Sequence, residues 1–405
     1  MTVRLFSRHS LLTVGGLSTL IIGAAVAAVG TADAATHQAT GTIRMAGSPD
    51  AVRGSYIVVL KDAEVRTAAV DSTAKTLTAR HGGAVKQSWD AALLGFELSA
   101  SEQTARRYAA DPRVAYVQAT TIVRASGTQT NPPSFGLDRV DQRRLPLDNK
   151  YTFPNTAANV QAFIIDTGIQ FDHTDFGGRA TFGFDAVGDG RQGKDCNGHG
   201  THVAGTVGGA TFGLAKQAKL VAVRVLGCDG SGTSAGVIKG IDWVTKNARK
   251  PAVANMSLGG PEDPALDAAV QRSIRSGVTY ALAAGNENRD ACATSPARVD
   301  TAITVGATDQ RDARASFSNF GRCLDILAPG VNIRSAFAGN GTNGSAVLSG
   351  TSMAAPHVAG AAALILAQQP TFSPQQVRDA LVNNATPNVV TDLKGSPNKL
   401  LFVAN

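Results

Sequence analysis

Five short, almost uninterrupted apolar runs constrain this 405-residue chain more than any other feature: "VQAFIID" (160–166), "KLVAVRVL" (219–226), "AVANMSL" (252–258), "VTYALAAG" (278–285) and "AITVGA" (302–307). A strand with one solvated face alternates apolar and polar residues, whereas a strand covered on both faces has no reason to. Runs of this kind read as a parallel sheet sandwiched between helices. The intervening segments supply those helices: over 234–248, Val237, Ile241, Val244 and Ala248 recur at helical spacing. The expected fold class is α/β, a doubly wound and mostly parallel sheet with helices on both faces. In such sheets the chemistry collects outside the carboxyl ends of the strands.

Upstream of these runs the pattern changes. Residues 1–34 carry Arg4 and Arg8, then an apolar run, then the small-residue triplet Ala32-Asp33-Ala34, the layout of a secretory signal. The run from 11 to 29 is long enough to be a membrane anchor, but its glycines, serine and threonines and the triplet after it favour removal. Residues 54–122 read as a small unit: "SYIVVL", "GFELSA" and "VAYVQA" are strands, and 64–80 and "SEQTARRYAADP" are helices. That order suggests a small α+β, ferredoxin-like βαββαβ sandwich. "RASGTQTNPPS" (124–134) is polar and Pro-bearing, as a linker is.

Composition excludes some partners. The net charge of +7 is spread as 13 basic against 9 acidic residues up to 127, and 25 against 22 beyond it. No basic cluster is interleaved with aromatics, so nucleic acid is not an expected partner. Export makes Cys196, Cys228, Cys292 and Cys323 disulfide candidates. Four cysteines allow three pairings, and all three remain open on this reading, although Cys196–Cys228 with Cys292–Cys323 closes the two shortest separate loops.

The strand-end rule sorts the polar residues. Asp166 ends the first run in "IIDTG" and Asn286 follows another in "AAGNEN"; singly, each reads as a turn residue. "GTSMAAPHVAGAAALIL" (350–366) puts Ser352 at the start of a long apolar helix, an N-cap position, with His357 as a buried structural histidine. "DCNGHGTHVAG" (195–205) holds His199 and His202 three apart. A zinc-protease pair needs i, i+4 spacing and a glutamate beside the first histidine, and Cys196 has no C-x-x-C partner, so neither a metal nor a redox reading fits well. A carboxylate at a strand end, a histidine at a Gly-flanked helix start and a serine at another helix N-terminus are jointly improbable as no more than a turn residue, an ordinary Gly-rich helix start and a cap.

"IIDTG", "NGHGTHVAGT" and "GTSMAAPHVAG" resemble the three active-site blocks of the subtilisin-like serine proteases, in that family's order Asp, His, Ser. The resemblance covers about 134–405. "FGLDRVDQRRLPLDNKYTF", "DCNGHG", "VLGCDGSG", "ANMSLGG", "SPARV", "SFSNFGRC" and "GSPNKLL" are similar to the proteinase K branch, in particular aqualysin-like enzymes. Residues 54–122 resemble the inhibitor-type propeptide of these proteases. The implied organisation is a signal peptide (1–34), a propeptide (35–127) and a subtilisin-like catalytic domain (128–405). With Asn405 only a few residues after "GSPNKLL", no C-terminal extension of the kind aqualysin precursors carry is expected.

The resemblance implies roles residue by residue. Ser352 is the nucleophile, His199 the general base, Asp166 the group that orients it, and Asn286 the oxyanion-hole side chain; His202 and His357 are structural. Ser257, Leu258 and Gly259, with Ala283, Ala284 and Gly285, match the walls of the primary specificity pocket, and Gly230, Ser231 and Gly232 match the edge that pairs with extended peptide. A small, uncharged pocket suits apolar or aromatic side chains, with Glu287 at its rim leaving tolerance for basic ones open. The implied disulfides are Cys196–Cys228 and Cys292–Cys323. Structural calcium is implied at Asp325 with the carbonyls of Asp300 and Ala302, where the family has proline at position 300, and at a second site of Asp138, Asp141 and Gln142. The expected protein is secreted and monomeric, cuts protein and peptide substrates broadly, and has its own propeptide as intramolecular inhibitor. Cleavage between Arg124 and Thr130 is expected to release that propeptide. Two other classes, a catalytically dead binding module and a narrow processing protease, are disfavoured by the complete triad with Asn286 and by the uncharged pocket.

Overall fold

The computed structural model describes residues 40–48, 51–61, 69–121 and 127–403. The signal peptide expected at 1–34, the start of the helix expected at 64–80 and residues 124–126 of the cleavage window lie outside them. The chain divides into two compact units, Met1–Ile122 and Val123–Asn405.

The first unit comprises β1 (Ile43–Arg44), β2 (Ala51–Leu60), α1 (Val70–His81), β3 (Ala84–Trp89), β4 (Gly95–Ser99), α2 (Glu102–Ala109) and β5 (Val114–Thr121). From β2 onward the order is βαββαβ, and the sheet runs β1-β5-β2-β4-β3. Ser101 caps α2 by accepting from the Thr104 N–H, as its place before a polar helix start favours. One core, with Val58, Leu77, Phe96, Leu98, Tyr108 and Val117 buried, joins the helices to the sheet.

The second unit contains β6 (Gly127–Thr130), α3 (Phe135–Val140), β7 (Lys150–Phe153), β8 (Gln161–Asp166), β9 (Ala180–Asp185), α4 (His199–Gly208), β10 (Lys219–Arg224), α5 (Ser234–Asn247), β11 (Ala252–Met256), α6 (Pro264–Arg275), β12 (Thr279–Ala283), β13 (Ile303–Thr308), β14 (Ile326–Pro329), β15 (Ile333–Ala336), β16 (Ser345–Leu348), α7 (Thr351–Gln368), α8 (Pro374–Asn384), β17 (Thr386–Pro387) and β18 (Lys399–Leu400). Nine strands form one sheet in the order β17-β18-β14-β13-β12-β11-β8-β10-β9. Every neighbouring pair is parallel except β17–β18.

Strand periodicity explains the layers. On β8, Ala162 and Ile164 enter the core shared with α4, α7 and α8. Their neighbours Phe163 and Ile165 enter the opposite core, built with α5 and α6. Both faces of the strand are covered, and the apolar runs follow from that burial. After β8 the chain adds β10 and β9 on one side, then β11 to β14 on the other. The carboxyl end of β8 is a topological switch point, where a crevice opens.

Candidate active site

Asp166 is the last residue of β8 and is fully buried. Its Oδ1 accepts from the Thr167 N–H at 2.7 Å and lies 2.7 Å from His199 Nδ1. A carboxylate oxygen accepts, so the imidazole proton sits on Nδ1, which leaves Nε2 with a free lone pair.

His199 is the first residue of α4, and local sequence puts it there. Gly198 turns the chain with φ of 101°, where a side chain is strained and a Cβ would stand 2.3 Å from the Phe337 ring. Asp195 then organises the helix start. Its Oδ1 accepts from the Asn197 and Gly198 N–H groups at 2.9 Å each, and its Oδ2 from the Thr201 N–H and hydroxyl at 2.9 and 2.6 Å. Thr167 couples this turn to β8: its hydroxyl donates to Asp195 Oδ1 and accepts from the Gly200 N–H, both at 2.9 Å. Burial is the largest influence on the His199 pKa and lowers it, but the Asp166 charge and hydrogen bond, with the Asp195 charge, outweigh burial and leave it raised above 6.5.

Ser352 is the second residue of α7, in the first turn, where N–H groups have no partner within the helix. Pro356 lies one turn on and has no N–H to give the Ser352 carbonyl. The Ser257 hydroxyl, just past β11, fills that vacancy at 2.8 Å. Ser352 Oγ donates in turn to the Ser257 carbonyl at 3.2 Å. Asn286 follows β12, and its Oδ1 accepts from the Thr351 N–H at 2.8 Å and the Thr351 hydroxyl at 3.0 Å. The amide oxygen is thereby committed, and Nδ2 is the donating end. Asn286 Nδ2 and the Ser352 nitrogen each lie 3.6 Å from the point a Cβ on Gly350 would take, so two N–H donors flank space that glycine keeps open.

The predicted binding residues line two adjoining depressions. Leu258, Gly259, Ala283, Ala284 and Gly285 wall a cavity of about 140 Å³ with Asn286 and Ser352 at it. Ser257, Leu258, Gly259 and Gly230–Gly232 line a groove of about 720 Å³ that includes His199. The disulfides are Cys196–Cys228 and Cys292–Cys323. The first ties the loop before α4 to the loop before α5. His202 and His357 are buried; each is held to a pKa of about 4 by desolvation, and each hydrogen-bonds a backbone carbonyl, Ile333 and Met353 respectively.

The expected calcium ligands differ in how they fit an ion. Asp325 Oδ2 accepts from the Thr304 N–H at 2.8 Å, and Oδ1 from the guanidinium of Arg378, Nε at 3.0 Å. A protein cation already neutralises this carboxylate, so Asp325 with the Asp300 and Ala302 carbonyls does not fit calcium without displacing Arg378. Around α3, Asp138 accepts from the Asp148 and Asn149 N–H groups and Asp141 Oδ2 from the Thr152 N–H. Asp141 Oδ1 is buried with no partner, and burial above all pushes the Asp141 pKa up to about 6, with Asp148 and Asp138 charges adding to it. An orphaned oxygen among carboxylates does fit a hard cation. Gln142 beside it turns its amide nitrogen to the Pro146 carbonyl at 2.8 Å. No cluster of three or more His, Cys, Asp or Glu side chains close enough to hold a metal occurs among the described residues.

A profile of the subtilase family matches residues 159–400. The chain belongs to that family. The subtilase is 50% identical over 373 residues to the extracellular serine proteinase of Thermus sp. (strain Rt41A), covering 88% of this chain and 90% of the relative. It is 46% identical over 374 residues to alkaline serine exoprotease A of Vibrio alginolyticus, covering 89% of this chain and 69% of that one. A crystal structure of a cold adapted subtilisin-like serine proteinase superposes with a TM-score of 0.65 at 53% identity, over 66% of this chain and 97% of that one. Its fold and kinship make this subtilase a serine proteinase, an enzyme acting on peptide bonds.

Three residues that serve the site escaped the sequence reading: Asp195, Arg224 and Asn319. Arg224, fully buried, donates to Asp189 at 2.6 and 2.8 Å, to Asp185 at 3.1 Å and to the Thr167 carbonyl at 3.2 Å, which fixes the turn after Asp166. Only Asp195 had a local signal, as the acid before a Gly-rich helix start.

Proposed function

We propose that this chain is a secreted serine endopeptidase that acts through Asp166, His199 and Ser352. The observation that carries the proposal is the 2.7 Å Asp166–His199 pair, facing the crevice that Ser352 and Asn286 also border. Ser352 Oγ adds to the scissile carbonyl carbon while its proton passes to His199 Nε2. The carbonyl oxygen, now an oxyanion, accepts from the Ser352 N–H at the positive end of α7 and from Asn286 Nδ2. The C–N bond breaks as His199 returns the proton to the leaving amine, and an acyl-enzyme remains. Water then adds to the acyl carbon, giving its proton to His199; the ester C–O bond breaks, Ser352 recovers a proton, and the carboxylate product leaves. Asp166 holds the imidazole tautomer and balances the imidazolium charge throughout.

The small cavity walled by Ala283, Ala284 and Gly285 takes an apolar or aromatic side chain before the cut, and Gly230–Gly232 pairs with the substrate backbone as an added strand. The enzyme acts outside the cell, in keeping with the Thermus relative that is named an extracellular serine proteinase, and works as a monomer on protein and peptide substrates. Among the described residues no helix is long and apolar enough to cross a membrane. Calcium, bound at Asp138, Asp141 and Gln142, would neutralise those carboxylates and stabilise the fold around α3.

Residues 35–127 act as a propeptide that the enzyme removes itself. A large parallel sheet rich in non-local contacts folds slowly, and the propeptide's role on this reading is to lower that barrier. The expected new N-terminus near Thr128 falls on β6, which pairs with β7 at Thr128–Thr152.

Ser352→Ala and His199→Ala should each abolish hydrolysis of a peptide p-nitroanilide with Phe before the cut. Ser352→Ala should also accumulate precursor, whereas wild type yields a chain beginning between 124 and 130. Activity that survives His199→Ala and disappears in His202→Ala would overturn the assignment of the base.

A further inference from the structure

The primary cavity is uncharged along its walls but not at its edge, where Glu287 and Arg289 are both among the residues that line it. Their side chains are half exposed, and Arg289 Nε stands 3.7 Å from Glu287 Oε2. An exposed pair of this length is weak and screened by salt, so a competing charge can displace either member. The carboxylate does not drift, however, because a buried amide holds it.

Asn319 has no exposed surface. Its Oδ1 accepts from the Glu287 and Arg289 N–H groups at 3.0 Å each, and its Nδ2 donates to the Ala284 carbonyl and to Glu287 Oε2 at 2.9 Å each. Two acceptor sites and two donors are all used, so the amide locks the backbone of the rim, one wall of the cavity and the Glu287 carboxylate together. The carboxylate is preorganised, and among the described residues the guanidinium facing it is held by a long, solvated contact alone.

We propose that Arg289 sets the charge preference of the primary pocket: by pairing with Glu287, which Asn319 holds at the rim, it suppresses cleavage after lysine. This inference rests on the protease reading above. A lysine side chain in the cavity extends its ammonium toward the rim, where it must share Glu287 with Arg289. With the guanidinium gone, the fixed carboxylate faces the ammonium alone.

The test compares mature wild type, Arg289→Gln and Arg289→Gln/Glu287→Gln on two peptide p-nitroanilides that differ only in Lys or Met before the cut, so that length is kept and charge is not. Arg289→Gln should raise the Lys:Met ratio of kcat/KM by about two- to fivefold, the size an exposed ion pair supports. The gain should shrink in 1 M salt and vanish in the double variant. An unchanged ratio, or a gain that survives Glu287→Gln, overturns the inference while leaving the protease reading intact. Failure of wild type to cleave either peptide, or the same peptide with Phe, would overturn that reading and this inference with it.

Discussion

Ser257 and Ser352 hold each other through two reciprocal hydrogen bonds, Ser257 Oγ to the Ser352 carbonyl at 2.8 Å and Ser352 Oγ to the Ser257 carbonyl at 3.2 Å. The first exists because Pro356 leaves the Ser352 carbonyl without its helical donor. The second parks the proposed nucleophile against the Ser257 carbonyl, so on the proposed mechanism the hydroxyl must rotate toward His199 Nε2 to react. Catalytic hydrogen bonds commonly tighten only when substrate is bound.

Ser257→Ala should therefore loosen the nucleophile rather than abolish it. Losing one buried hydrogen bond costs about 1 kcal/mol, and the reacting geometry loosens with it. The expected result is a fall in kcat of about tenfold, equivalent to ~1.4 kcal/mol, with KM nearly unchanged. A loss as large as that of Ser352→Ala would show that Ser257 does more than position.

Activity should fall on acidification through a midpoint above 6.5, because in the proposed mechanism His199 must be neutral to accept the serine proton, and its pKa is raised. Desolvation, the largest influence, pulls that pKa down, and the Asp166 charge and hydrogen bond more than offset it. Asp166→Asn should move the midpoint to lower pH and reduce kcat by about 10⁴-fold. A midpoint that does not move with Asp166→Asn would contradict the electrostatic account.

Acid should destabilise the fold through His202 and His357. Unfolded, each binds a proton below 6.5; folded, burial holds each to about 4. Across that window the unfolded state binds more protons, so stability is present above 6.5 and is lost as pH falls toward 4, by up to about 3 kcal/mol per histidine. Urea unfolding of Ser352→Ala, which avoids self-digestion, should show a steep loss between pH 6.5 and 4.5. Adding His357→Gln should lessen that slope; an equal slope would contradict the assignment.

Calcium should matter at Asp141 more than at Asp325. With ligand at a hundredfold excess over Kd the folded state gains about 2.7 kcal/mol, so chelator should lower the melting temperature of Ser352→Ala. Asp141→Asn should remove that sensitivity, and Asp325→Asn, whose carboxylate faces Arg378, should keep it. An identical melting curve with and without chelator would remove calcium from the account.

Much of this was legible in the sequence, for a physical reason. β8, β10, β11, β12 and β13 are buried on both faces, and full burial writes itself into sequence as nearly unbroken apolar runs, interrupted by buried polar residues such as Arg224 and Asn255. β9 did not show because its "ATFGFD" lies at the sheet edge, with Phe182 52% exposed. β3 did not show because half of "AVKQSW" is polar and none of its residues is buried. Short Pro- or Gly-bounded segments such as β14 carry too few residues for a period to register. At the site, Asp166, His199 and Ser352 stand in motifs that local turns and caps explain. Asn319 and Arg378 act on partners 32 and 53 residues away, and no local pattern announces such contacts.

The central claim is that Ser352 is a nucleophile activated by His199. Its most direct test is stoichiometric labelling of the mature protein with a fluorophosphonate at pH 8, followed by mass spectrometry of the digest. The account predicts one phosphonyl group per chain, on Ser352, with labelling lost in Ser352→Ala and slowed by orders of magnitude in His199→Ala. Label on another residue, or equal labelling rates with and without the His199 imidazole, would contradict it.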